Sequence, residues 1–135
     1  MSEIFDIERD EDSKYIYINP KKGHDTTLIF LHGVTGSAEG YFEMFLNPKM
    51  TSETTRIVLP TASVKPVTLY NGDQVTSWLD MFTLYKKRDS LEEILSDFNQ
   101  DDCMASALLI LNLVDLEKQK FPDQNESRIF IAGFS

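Results

Sequence analysis

Three short runs constrain this chain most: residues 26–31 (TTLIFL), 56–59 (RIVL) and 128–132 (RIFIA) are apolar, β-branched and too short for helices. They lack the polar–apolar alternation of a strand with one wet face, so they read as strands buried on both faces. Helical patterns fall between them. After the first run, Ser37 is placed to cap a helix whose Tyr41, Phe42, Phe45 and Leu46 recur at helical spacing, with Pro48 beyond its end. Before the third, a helix beginning at Asp101 or Asp102 carries Met104, Ala107, Leu108, Leu111, Val114 and Asp115 at three- and four-residue steps. It runs to about Lys120, with Lys118 and Lys120 complementing the carboxyl end of its dipole. Buried strands alternating with helices predict an α/β fold, a mostly parallel sheet flanked by helices.

The rest of the chain is punctuation and lesser elements. Residues 14–19 (KYIYIN) are β-rich and are followed by turn chemistry at 20–23 (PKKG). Residues 61–89 have mixed character: Pro66 and Asn71-Gly72 mark turns, and Trp78, Leu79, Met81, Phe82 and Leu84 supply apolar surface. An ordered loop of that length is usually functional or holds short elements of its own. Ser90-Leu91-Glu92-Glu93 matches a capping box before a short helical turn.

At 135 residues and 41% hydrophobic, the chain can bury one sizeable core, so it is one domain or part of one. Its 22 acidic against 13 basic residues give a net charge of −9, which argues against nucleic-acid phosphates or anionic membrane surfaces as partners. Glu3, Asp6, Glu8, Asp10, Glu11 and Asp12 outnumber Arg9 at the start, so residues 1–13 read as a solvated acidic tail preceding a domain over 14–135. The single cysteine, Cys103, fits a reducing compartment and lies in an apolar helical pattern as a small buried hydrophobe. No apolar stretch approaches the roughly 20 residues of a spanning helix, and no signal-peptide pattern opens the chain. The expectation is a cytoplasmic protein without a transmembrane segment, with organellar import left open. His24, His32 and Cys103 lack zinc-ligand spacing, and neither a Walker loop nor a G-x-G-x-x-G fingerprint is present, so no metal and no cofactor are expected.

Two turns carry possible chemistry. Gly133-Phe134-Ser135 follows a buried strand and matches the first half of the nucleophile elbow G-x-S-x-G, although the motif alone is weak and fits an ordinary strand-end serine better. His32-Gly33 follows another buried strand, where a turn can aim the Val34 backbone N–H at charge developing on an acyl oxygen. Gly33 and Gly36 permit the tight path. His32 reads as a residue that pins this turn rather than as a catalytic base, because a base must be free to reach the nucleophile.

Taken in order, LIFLHGVTGSAEGY, IVLPTASVKPVTLYNGDQVTSWLDM, the long helix and RIFIAGFS resemble the N-terminal half of the acyl-protein thioesterase and phospholipase–carboxylesterase group of α/β-hydrolases, from about residue 28 to 135. The most specific anchors are Pro60 before Ala62, Lys65-Pro66-Val67-Thr68, and Ser77-Trp78-x-Asp80. The resemblance implies that Ser135 is the nucleophile, that Val34 donates one oxyanion-hole N–H with His32 and Gly33 supporting its turn, and that the Ser77-Trp78-x-Asp80 block forms the floor. It also implies that Val67, Leu69 and Trp78 border an acyl channel, although composition alone makes Trp78 and Leu69 equally good core residues. The substrates implied are acylated proteins, lipids or small esters.

The chain departs from the group in two ways. Val34-Thr35-Gly36-Ser37 replaces its usual Gly-x-Gly-Asp-like continuation after His-Gly. The triad aspartate and histidine follow the serine in this group and are not among these residues, and neither Asp80 nor His32 is promoted to replace them. Completion by a C-terminal remainder or by a complementary chain is therefore expected, the remainder being favoured because a lone half-sheet exposes a long apolar edge. The function expected is a serine hydrolase of acyl thioesters or carboxylic esters. The alternative is a non-catalytic hydrolase-like subunit that keeps the fold as an interaction module.

Overall fold

The apolar runs become the parallel strands of one sheet. The computed structural model describes residues 4–47, 49–83 and 87–135. In chain order the elements are β1 (Phe5–Arg9), β2 (Ile16–Pro20), β3 (Thr26–Leu31), α1 (Ala38–Phe45), β4 (Thr55–Leu59), β5 (Val64–Val67), β6 (Asp73–Thr76), α2 (Leu91–Leu95), α3 (Gln100–Lys118) and β7 (Ile129–Gly133). The main sheet has the order β1-β2-β4-β3-β7, while β5 and β6 form a separate antiparallel pair. β3 runs parallel to both β4 and β7, with Leu28 opposite Ile57 and Phe130. The expected parallel pairing of 26–31 with 128–132 is thus present.

The pleat divides β4 between two cores. Ile57 and Leu59 join Phe5, Ile16, Ile18, Ala38 and Phe45 beneath α1, whereas Val58 joins Ile29, Ile110 and Leu113 beneath α3. Each fully buried aliphatic side chain contributes roughly 1.5–3 kcal/mol by leaving water. Ser37 caps α1 as expected, its hydroxyl accepting from the Gly40 N–H. Ser90 caps α2 by accepting from Glu93, but Glu93 returns its carboxylate to the Asp89 N–H, one residue earlier than a capping box requires.

Several expectations change. The reading of 1–13 as a solvated tail is corrected over Phe5–Arg9, which is a strand pairing antiparallel with β2 and burying Phe5 completely. One apolar ring in register outweighs the charges, which sit on exposed positions. The helix α3 starts at Gln100 because Asn99 supplies the cap. Its buried side is Ile110, Leu113 and Glu117, whereas Met104, Leu108 and Leu111 are exposed. The helix is apolar on most sides, so three- and four-residue spacing did not choose among its faces. Cys103 is only half-buried. Residues 61–89 contain the β5–β6 hairpin, whose turn uses left-handed Asn71 and Gly72. Glu3, Pro48 and Leu84 lie outside the described residues.

At the amino ends of β3 and β4 a polar network is enclosed. Arg56 Nε lies 2.7 Å from Glu117 Oε1 and its Nη2 3.2 Å from Oε2. Arg56 also donates to Asn19, and its guanidinium stands 4.8 Å from the Tyr17 ring centroid. Thr27 donates to Glu117 at 3.3 Å and, its own hydrogen being committed, accepts from His24 Nε2 at 2.6 Å.

Candidate active site

Parallel strands place their carboxyl ends side by side, and open α/β sheets bind ligands there. Leu31 and Gly133 lie opposite each other at the ends of β3 and β7, and the Phe134 N–H donates to the Leu31 carbonyl at 3.2 Å. The two candidate turns consequently touch. A Cβ on Gly33 would stand 3.0 Å from the Phe134 carbonyl oxygen and 3.3 Å from Ser135 Cβ, a close approach only glycine permits. Ser135 is exposed and has φ +62°, a left-handed conformation of the kind stored at a strand-to-helix elbow.

His32 is committed at both ring nitrogens. The Ala62 N–H donates to Nε2 at 2.9 Å, so the ring proton sits on Nδ1, which donates to the Gly33 carbonyl at 2.6 Å. Burial pushes its pKa below the ordinary histidine value against the opposing pull of the Gly33 hydrogen bond. The Trp78 Nε1–H donates to the His32 carbonyl at 2.8 Å, and the two rings lie 5.0 Å apart. A neutral ring held on every side fixes a loop and leaves no nitrogen for proton transfer to Ser135.

The loop after His32 is a tight turn in which the Gly36 N–H donates to the Gly33 carbonyl at 3.0 Å. Negative φ at Val34 followed by +69° at Thr35 is the sign pattern of a type II turn. A Cβ on Gly36 would meet the Gly33 carbonyl at 2.9 Å and His32 Cβ at 3.0 Å. The end of β6 braces the turn: the Thr35 N–H donates to the Thr76 carbonyl at 2.8 Å, and the Thr76 hydroxyl donates to the Gly36 carbonyl at 2.7 Å. Among the described residues the Val34 N–H has no acceptor.

Below the turn the Ser77–Asp80 segment is tied to its surroundings. Ser77 Oγ donates to the Leu79 carbonyl at 2.6 Å, Ser106 donates to the Trp78 carbonyl, and the Asp80 N–H donates to Asp102 at 2.8 Å. Both Asp80 carboxylate oxygens accept from Thr68, so that acid serves the loop. An apolar groove of about 480 Å³ opens beside Leu31, Trp78, Leu79, Cys103, Ala107 and Ile110. Val67 is buried and Leu69 half-buried, and among the described residues no hydrogen bond or ring contact joins either to Ser135 or to the His32–Gly36 turn. Sequence reading did not single out Thr76 or Ser106, and it marked Ala62 only as an anchor of the resemblance, not as the partner of His32.

Residues 14–135 match the sequence profile of the phospholipase/carboxylesterase family. The chain is 31% identical over 128 residues to acyl-protein thioesterase 1 of Mycosarcoma maydis, covering 90% of this chain and 52% of that protein. It is 35% identical over 121 residues to lysophospholipase-like protein 1 of Mus musculus, covering 87% and 46%. The crystal structure of Zea mays acyl-protein thioesterase 2 superposes with a TM-score of 0.70 at 22% identity over 91% of this chain and 46% of that one. The chain thus spans about half the length of the curated relatives it matches.

Proposed function

Because this chain belongs to the phospholipase/carboxylesterase family, we propose that it supplies the nucleophile and one oxyanion donor of a serine hydrolase acting on acyl thioesters or carboxylic esters. The observation that carries the reading is the contact of Gly33 with Phe134 and Ser135 at the carboxyl ends of adjacent parallel strands, together with the left-handed Ser135 backbone. Ser135 Oγ attacks the acyl carbonyl, and the Val34 N–H donates a hydrogen bond to the negative charge that develops on the acyl oxygen. The thiol or alcohol leaves, and water releases the acyl group from the serine. The base that takes the serine proton is a histidine oriented by an acid. Since His32 and Asp80 are committed elsewhere, those partners belong to polypeptide beyond these residues. Acylated proteins and lipid or small esters are the substrates the relatives' names suggest.

The test uses the full-length protein that carries this sequence. A fluorophosphonate is expected to label Ser135, and a short acyl thioester to be hydrolysed. Ser135→Ala should abolish both without lowering the melting temperature, with a rate loss on the order of a millionfold by analogy with serine removal in subtilisin. The 135 residues alone should do neither. Labelling of a different serine, with Ser135→Ala fully active, overturns the site. A folded full-length protein that resists the probe supports the interaction-module alternative.

A further inference from the structure

The Gly33–Gly36 turn carries a strain that its own residues do not relieve. Thr35 sits at φ +69°, where a β-branched side chain crowds its own backbone and where type II turns ordinarily place glycine or asparagine. Left alone, such a turn gains by flipping its central peptide, exchanging the places of the Val34 carbonyl and the Thr35 N–H. That flip turns about the Val34 Cα–C and Thr35 N–Cα bonds; the Val34 N–H belongs to the preceding peptide and keeps its aim only while the turn around it keeps its course.

Thr76 holds the turn at two points, the first of which opposes the flip directly. Its carbonyl accepts from the Thr35 N–H at 2.8 Å, and a flipped peptide would set the Val34 carbonyl against it, oxygen facing oxygen. Its hydroxyl donates to the Gly36 carbonyl at 2.7 Å and holds the Gly36–Ser37 peptide at the exit of the turn. The brace is itself anchored, because Thr76 pairs with Val64 in the hairpin and the neighbouring Ser77 N–H donates to the Ser63 carbonyl at 3.1 Å. We infer that Thr76 is a positioning residue for acyl transfer, a two-point latch that holds the strained Gly33–Gly36 turn so that the Val34 N–H stays available to the oxyanion. The inference rests on the assignment of Ser135 and Val34 above.

The test compares thioester hydrolysis by the full-length protein and its variants. Thr76→Val keeps the shape and the carbonyl and removes only the hydroxyl. Its kcat should fall about tenfold, less than the loss from deleting an oxyanion donor outright, while KM stays within about twofold. Affinity for a trifluoromethyl ketone, which forms a tetrahedral oxyanion with the serine, should fall by the same factor as kcat/KM. Thr76→Ser should restore both. Thr35→Gly in the Thr76→Val background should recover most of the lost kcat, since glycine takes the positive φ without strain. If Thr76→Val does not fold, the Thr76→Ser and Thr76→Ala pair, differing only in the hydroxyl, is read in its place. Equal kcat and equal ketone affinity with and without the hydroxyl overturn the latch, as does a rise in KM at unchanged kcat. A wild-type protein that resists the fluorophosphonate instead overturns the functional assignment.

Discussion

The two ends of the parallel strands are built on opposite terms. At the amino ends Arg56, Glu117, Thr27 and His24 form a closed chain in which every hydrogen bond has a partner and two opposite charges are enclosed together. At the carboxyl ends Thr35 and Ser135 sit at positive φ, two glycines leave no room for a side chain, and the Val34 N–H is unspent. One end is satisfied and the other is held in a state that needs support. The lesson is a division of labour: polar satisfaction where the strands begin, stored strain and an open donor where they end.

The largest expected effect on stability is at the amino end. Arg56→Met leaves Glu117 enclosed without its cation and should cost about 3–5 kcal/mol in urea denaturation of the full-length protein, with fluorophosphonate labelling of the surviving folded molecules unchanged. A parallel fall in labelling would break the division. Gly36→Ala should do the reverse. Its Cβ would stand inside contact distance of the Gly33 carbonyl and His32, so it should cost about 1–3 kcal/mol as an overpacked site and lose labelling out of proportion to that cost.

The smallest effect is on pH dependence. Burial lowers the pKa of both His24 and His32, so the unfolded chain binds more protons than the folded one below the ordinary histidine pKa. Stability contributed by the neutral rings is present above that pKa and is lost as pH falls toward the depressed folded values. The thermal midpoint should therefore drop between about pH 7 and about pH 5. His24→Gln should flatten only part of that slope, because His32, bonded at both nitrogens, loses the Ala62 hydrogen bond on protonation. A slope abolished by His24→Gln would assign the sensitivity to the amino end alone.

What could be read from sequence follows from the range of the forces involved. β3, β4 and β7 were legible as strands because short apolar, β-branched runs favour extended backbone, and the caps at Ser37 and Ser90 because a hydroxyl reaches only the next turn. The expectation that β7 is buried on both faces is corrected, since it stands at the margin of the five strands with Phe130 and Ile131 exposed. The β5–β6 hairpin was not placed, since Pro66 reads as a turn marker within a stretch of mixed character. In the structure it lies opposite Gln74 in a two-stranded ribbon, where a missing N–H is tolerated. Within the site, Gly33 and Ser135 were legible through motif chemistry. Thr76 was not, because its two bonds join residues 40 or more positions apart and no local pattern announces them. The Arg56–Glu117 pair, 61 positions apart, was hidden for the same reason.

Among the described residues, no strand pairs with the outer side of the first strand, which closes one side of the sheet. Such a margin invites a second molecule to add a strand to it. Here Asp6, Glu8 and Arg9 are exposed, Arg9 paired with Glu39 and Asp6 standing 3.7 Å from Lys21, and the exposed Asp10, Glu11 and Asp12 follow, so two copies approaching edge to edge bring carboxylates of this run together. The repulsion is colloidal in nature: it reaches about 8 Å at physiological ionic strength. It shrinks as salt is added, and the acidic run that looked like idle solvated chain is expected to oppose such pairing.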